Sequence, residues 1–117
     1  MAHCLNVLCT AVTTTIADTG GFTGAYTSIA ISGDGLGVVA YYDFTTQDLK
    51  VAHCSDLVCS TASNTTVDAI DDVGRNPSIT IGRDGLPLIS YIHSTSDNLR
   101  VAHCANTACT GGLVTPF

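Results

Sequence analysis

Six cysteines and three of the four histidines fall in one recurring arrangement. Ala-His-Cys stands at Ala2-His3-Cys4, Ala52-His53-Cys54 and Ala102-His103-Cys104, and a second cysteine follows each at Cys9, Cys59 and Cys109. Two chemistries use such residues: disulfide closure across a turn, or ligation of zinc. Zinc needs the imidazole and the thiolates to converge on one ion. Neighbouring residues of a strand point to opposite faces, so adjacent His53 and Cys54 are badly placed to share a metal. Asn6, Asp56 and Asn106 occupy the second position between the cysteines, where Asn and Asp favour a turn. Three disulfides, Cys4 to Cys9, Cys54 to Cys59 and Cys104 to Cys109, are therefore expected, each adding about 2 kcal/mol by closing a small loop. No metal and no cofactor are expected.

Other chemistry is thinly represented. There is no Glu, no phosphate-binding loop, and no Cys-x-x-Cys of the redox kind. Four Lys and Arg against ten Asp leave a formal charge of −6, which argues against a nucleic-acid partner. No apolar run approaches the ~18 residues of a membrane span. Asp71-Asp72 is an acidic pair, but no Asp-x-Asp-x-Asp-Gly loop surrounds it, so a solvated loop is expected rather than a calcium site.

The elements that hold these residues repeat with them. Without a gap, 16 of the first 50 residues match the second 50, against roughly three expected by chance for ordinary composition. Asp34-Gly35-Leu36 returns as Asp84-Gly85-Leu86, Tyr41 as Tyr91, and Leu49-Lys50 as Leu99-Arg100. A period of this length suits four strands per unit. Val, Ile, Thr and Tyr between Gly, Asp and Asn favour strands over helices. Strand A is read at 27–32 and 78–82, strand B at 38–43 and 88–93, and strand C at 49–54 and 99–104. Strand D is read at 13–17, 64–68 and 113–115, with 2–4 a short first copy of strand C. Val38 to Tyr42 is apolar on both faces, which predicts a sheet covered on both sides.

The series Ser-Ile-x-Ile, Asp-Gly-Leu, an aromatic strand, then Leu-Lys/Arg-Val-Ala-His-Cys resembles bacterial β-propeller blade repeats of the sialidase-like, repeat-propeller group. That resemblance implies an all-β fold of four-stranded antiparallel blades, about 2.3 repeats of 50 residues in this chain. The blades divide as 1–26 (an incomplete C–D hairpin), 27–76 and 77–117. The sialidase Asp box is incomplete at Ser32-Gly33-Asp34-Gly35-Leu36, which lacks its Trp, and Arg75, Arg83 and Arg100 are the only arginines. The resemblance therefore carries architecture rather than sialidase activity.

Two blades do not close a ring, which needs ~4–8. Self-association is expected, with a trimer of six blades favoured over a dimer or tetramer. The expected function is a non-catalytic scaffold or binding module taking a carbohydrate or protein ligand. The alternative is a glycan-processing hydrolase active only as the assembled ring. Asp43 and His93 occupy the same place in two repeats yet differ, and with Tyr41 and Tyr91 they are the candidate ligand-binding residues. Asp34 and Asp84 complete the carboxylates a hydrolase could draw on. The repeat histidines are expected to be structural, bonded to a nearby backbone group or hydroxyl. Paired cysteines point to an extracytoplasmic site, although this chain carries no signal peptide.

Overall fold

The computed structural model describes residues 1–116. All ten regular elements among these residues are strands. β1 (Ala2–Cys4) and β2 (Val12–Thr14) form a hairpin. β3 (Ala25–Ile31), β4 (Gly37–Asp43), β5 (Asp48–Cys54) and β6 (Ala62–Asp68) form a central antiparallel sheet in chain order. β7 (Val73–Ile81), β8 (Pro87–His93), β9 (Asn98–Cys104) and β10 (Gly112–Pro116) repeat that sheet. One chain forms no closed ring among the described residues, and none of them lies in a helix long and apolar enough to cross a membrane.

Each turn follows from local chemistry. Gly35 and Gly85 adopt φ of 81° and 79°, which glycine accepts without a Cβ clash. Asp34 and Asp84 accept the backbone N–H of Leu36 and Leu86 at 3.0 and 3.1 Å. Strand A begins earlier than the apolar pattern indicates, at Ala25 and Val73 rather than 27 and 78. The added residues cross a bulge, where Tyr26 and Asn76 take positive φ of 50° and 49°. A bulge breaks the two-residue alternation that marks a strand in sequence, so the pattern showed only the part beyond it. Pro77 lies inside that irregularity, where no ladder bond is asked of its nitrogen.

The core is two layers of contact around the central sheet. Val38, Ala40, Leu49 and Val51 pack against Val73, Ile79, Ile89, Tyr91, Ala102 and Cys104 of the C-terminal sheet. On the opposite face Val39, Tyr41 and Ala52 lie beneath Met1 and Ala17. β4 is buried on both faces, whereas β8 alternates between buried and more exposed residues.

Candidate functional site

Each Cys-x4-Cys segment is a closed turn. The Cys4–Cys9, Cys54–Cys59 and Cys104–Cys109 disulfides span Cα separations of 4.8, 4.7 and 4.8 Å. Asn6, Asp56 and Asn106 accept backbone N–H groups inside these turns, from Thr10, Ser60 and Thr110 among others. The second cysteine of each pair takes a left-handed φ, at 53°, 56° and 58°. Nothing in residue type announces this, because cysteine has no preference for that region. No group of three or more metal-ligating side chains occurs among the described residues.

The repeat histidines have a different partner from the one expected. His53 Nε2 lies 2.7 Å from Asp34 Oδ2, and His103 Nε2 lies 2.8 Å from Asp84 Oδ2. Strand C is thereby tied to the A–B turn by an imidazole–carboxylate pair, not by a backbone group or hydroxyl. Asp34 is held below the ordinary carboxylate pKa: slight burial opposes its charge, and the Leu36 N–H and His53 outweigh that. His3 has no such aspartate, and its buried Nδ1 has no hydrogen-bond partner among the described residues.

Tyr41 and Tyr91 are core residues with polar ends. Tyr91 donates its hydroxyl to Asp68 at 2.6 Å, and Tyr41 donates to Asp18, the repeat equivalent of Asp68, at 2.7 Å. Burial and then the neighbouring carboxylate push both phenols well above their usual pKa. Each pair joins one unit to the next, from the middle of strand B to the end of strand D at Asp68, or just past it at Asp18. Both residues are buried, at 3% and 1% exposed, and Tyr41 also forms part of the wall of a cleft beside the first hairpin.

Asp43 and His93 also serve the fold. Asp43 is fully buried, pairs with Lys50 Nζ at 2.7 Å and accepts the N–H of Thr45 and Thr46. Burial opposes its charge, but those donors outweigh burial and lower its pKa. His93 cannot replace the carboxylate. Its Nδ1 contacts Ser96 Oγ, and its Nε2 lies 3.3 Å from Asp71 Oδ2. The cation that would have paired with it is changed too. Arg100, in the place of Lys50, reaches the Asp68 carboxylate at 2.9 Å. At this break in the repeat the cation therefore meets a different carboxylate, Asp68 in place of the residue beside it on strand B. In the Asp71-Asp72 pair, Asp71 is exposed as expected of a solvated loop, whereas Asp72 receives Arg75 at 2.8 Å and the Tyr42 hydroxyl at 2.8 Å.

A second break in the repeat escaped sequence reading. Phe22, Tyr26, Tyr42 and Phe44 correspond to Asp72, Asn76, Ile92 and Ser94 in the other unit. The rings of Tyr42 and Phe44 meet edge to face at 4.8 Å, and Phe22 and Tyr26 each lie 6.3 Å from Phe44. The Arg75 guanidinium stands 5.2 Å from the Tyr42 centroid. Phe22, Tyr26 and Phe44 are 79%, 47% and 42% exposed. This is an aromatic surface bordered by an Arg–Asp pair, a composition suited to ligand contact. Its signal in the sequence was the loss of four aromatic positions between units. A cleft of about 440 Å³ lies elsewhere, between the first hairpin and the central sheet, lined by Met1, Ala17, Asp18, Ile29, Val39 and Tyr41.

Comparison with protein-family models, with curated proteins and with solved structures gave no match.

Proposed function

We propose that this chain is a non-catalytic β-propeller scaffold and binding module that self-assembles into a closed ring and takes a glycan or protein ligand. The observation that carries this reading is the repeat of one sheet-to-sheet joint. The central and C-terminal sheets are equivalent units packed face to face; the far side of the C-terminal sheet has no neighbouring sheet, and the far side of the central sheet is covered only by the short β1–β2 hairpin, which leaves Ile29 and Ile31 exposed. Three chains with two blades each make a six-blade ring; two or four chains are the alternatives. The exposed Phe22, Tyr26 and Phe44 rings beside Arg75 and Asp72 supply ligand contacts of the kind that stack on a sugar ring. The three disulfides support an extracytoplasmic setting.

The hydrolase alternative needs two carboxylates facing one cleft. Asp43 is buried against Lys50, and Asp34 and Asp84 are held by histidines and turn N–H groups, which favours the non-catalytic reading. Light scattering on the purified protein tests assembly, and a dispersed, well-folded monomer at high concentration overturns it. A glycan array compares the parent chain with Phe22→Ala/Phe44→Ala, which should lose any signal while keeping its fold. Turnover of chromogenic glycosides that disappears in Asp43→Ala would sink the non-catalytic reading.

A further inference from the structure

The surfaces left open at the two ends are the two halves of a joint the chain already contains. Inside the chain, Leu49 is fully buried beneath Gly74, where an added Cβ would stand 2.6 Å from the Leu49 Cα. The same residues recur unpaired. Leu99 is 53% exposed, and Gly24, with φ of +85°, has nothing within 4 Å of an added Cβ. Inside the chain Ile79 is 8% exposed and Ile81 is packed in the core, yet their equivalents Ile29 and Ile31 are 57% and 62% exposed. Ser28 Oγ accepts the Ile79 N–H across the joint at 3.2 Å, and its equivalent Ser78 is exposed. One end thus presents Leu99 and Ser78, the other Gly24, Ile29 and Ile31, in the registers that already meet between the two sheets.

We infer that a second copy of this chain docks head to tail, the outer face of its C-terminal sheet on the Ile29–Ile31 face of the central sheet. This rests on the self-assembly reading and specifies its joint. The contact is heterologous, so it propagates until a ring closes.

Two features of the joint differ from the one inside the chain. Gly33 donates its N–H to Gly85 O at 3.0 Å, and a Cβ at Gly33 would stand 2.7 Å from that oxygen. The incoming copy carries Arg83 in that place, so the joint is wider at its A–B turns. The incoming β9–β10 hairpin also claims the ground held by β1–β2. β1 pairs with β2 at three register positions and leaves Cys4 and Cys9 exposed, whereas β9 is zipped to β8 at six. β1–β2 is the hairpin released. Asp18 lies beyond β2, so Tyr41 keeps its acceptor.

Sedimentation across a concentration series, with circular dichroism as the folding control, tests the joint. Leu99→Asp and Ile29→Asp, on opposite exposed faces, should each weaken assembly by at least about tenfold, the effect of losing ~1.4 kcal/mol. A mixture of the two variants retains one intact joint and should give dimers and nothing larger. Arg83→Gly should strengthen assembly. In the full chain, Ser78→Cys/Ile29→Cys should form interchain disulfides, and residues 1–14 should exchange amide hydrogens faster once assembled.

A parent chain that stays monomeric overturns self-assembly itself. A parent that assembles without the Ser78–Ile29 cross-link, or whose two single-face variants fail to pair when mixed, overturns this joint alone. Unchanged protection of residues 1–14 on assembly overturns it as well.

Discussion

The central and C-terminal sheets carry the same strand order, the same turns and many of the same residues, yet identical residues have opposite surroundings. Leu49 is fully buried and Leu99 is 53% exposed; Ile79 is 8% exposed and Ile29 is 57%. Strands B and C pair in the same register in both sheets. What differs is which side of each sheet has a neighbour. Burial in a repeat is set by position in the stack, so residue type alone does not identify the core here.

Truncation should separate the two units most strongly. Leu49→Ala is expected to cost ~2–5 kcal/mol, as for a fully buried side chain. Leu99→Ala should cost less than about 1 kcal/mol in the dispersed chain, because its side chain is already half in water. Urea titrations of both variants at low protein concentration measure the gap, and equal losses would break the comparison.

The next effect lies in the charge pairs that the two units build differently. Asp43→Asn removes the partner of Lys50 and should cost about 2 kcal/mol, in the range of hydrogen bonds to charged groups. His93→Asp should cost more, because it buries a carboxylate beside Asp71 while Arg100 is already committed to Asp68. Thermal melts of both variants decide whether the exchange is as asymmetric as the geometry implies.

The same carboxylates give a pH signature. Asp43 and Asp68 have folded pKa values below their unfolded ones. The stability they add is therefore present above the unfolded aspartate value of about 3.9 and is lost as pH falls through the lower folded values. Stability of the parent should drop steeply in that acid window, and Asp43→Asn should flatten the drop. A parent and variant with parallel acid profiles would contradict the assignment of Asp43.

The smallest effect concerns the disulfides. Cys54, Cys59, Cys104 and Cys109 are at most 4% exposed, whereas Cys4 and Cys9 are open to solvent. A low concentration of reductant should open Cys4–Cys9 first, because exchange needs access to the sulfur. Differential alkylation followed by mass spectrometry gives the order, and simultaneous opening of all three would remove the distinction.

Much of the local architecture was legible. The repeat located the strands, Asp34-Gly35 and Asp84-Gly85 marked turns, and Cys-x4-Cys marked disulfides. Each of these is decided by neighbours a few residues away. The doubly apolar run from Val38 to Tyr42 also gave away a sheet covered on both faces. The start of strand A was obscured, because a bulge at Tyr26 and Asn76 interrupts the alternation that reveals a strand. Asp43 and His93 were noticed as a break in the repeat, but their reason was not visible. It required seeing Arg100 reach Asp68, a residue 32 positions away, where Lys50 stays with Asp43. The aromatic surface was harder still: Phe22 and Phe44 come together only when strands A and B pair.

Sequence by itself therefore determined an all-β chain of repeated four-stranded units, its tight turns and its three short-range disulfides, because these depend on local dihedral preference and strand periodicity. Only the tertiary structure decided which of two identical residues lies in the core, which carboxylate each cation meets, and which halves of the joint remain open. Those outcomes depend on the stacking of one sheet upon another, and no single repeat contains its own neighbour.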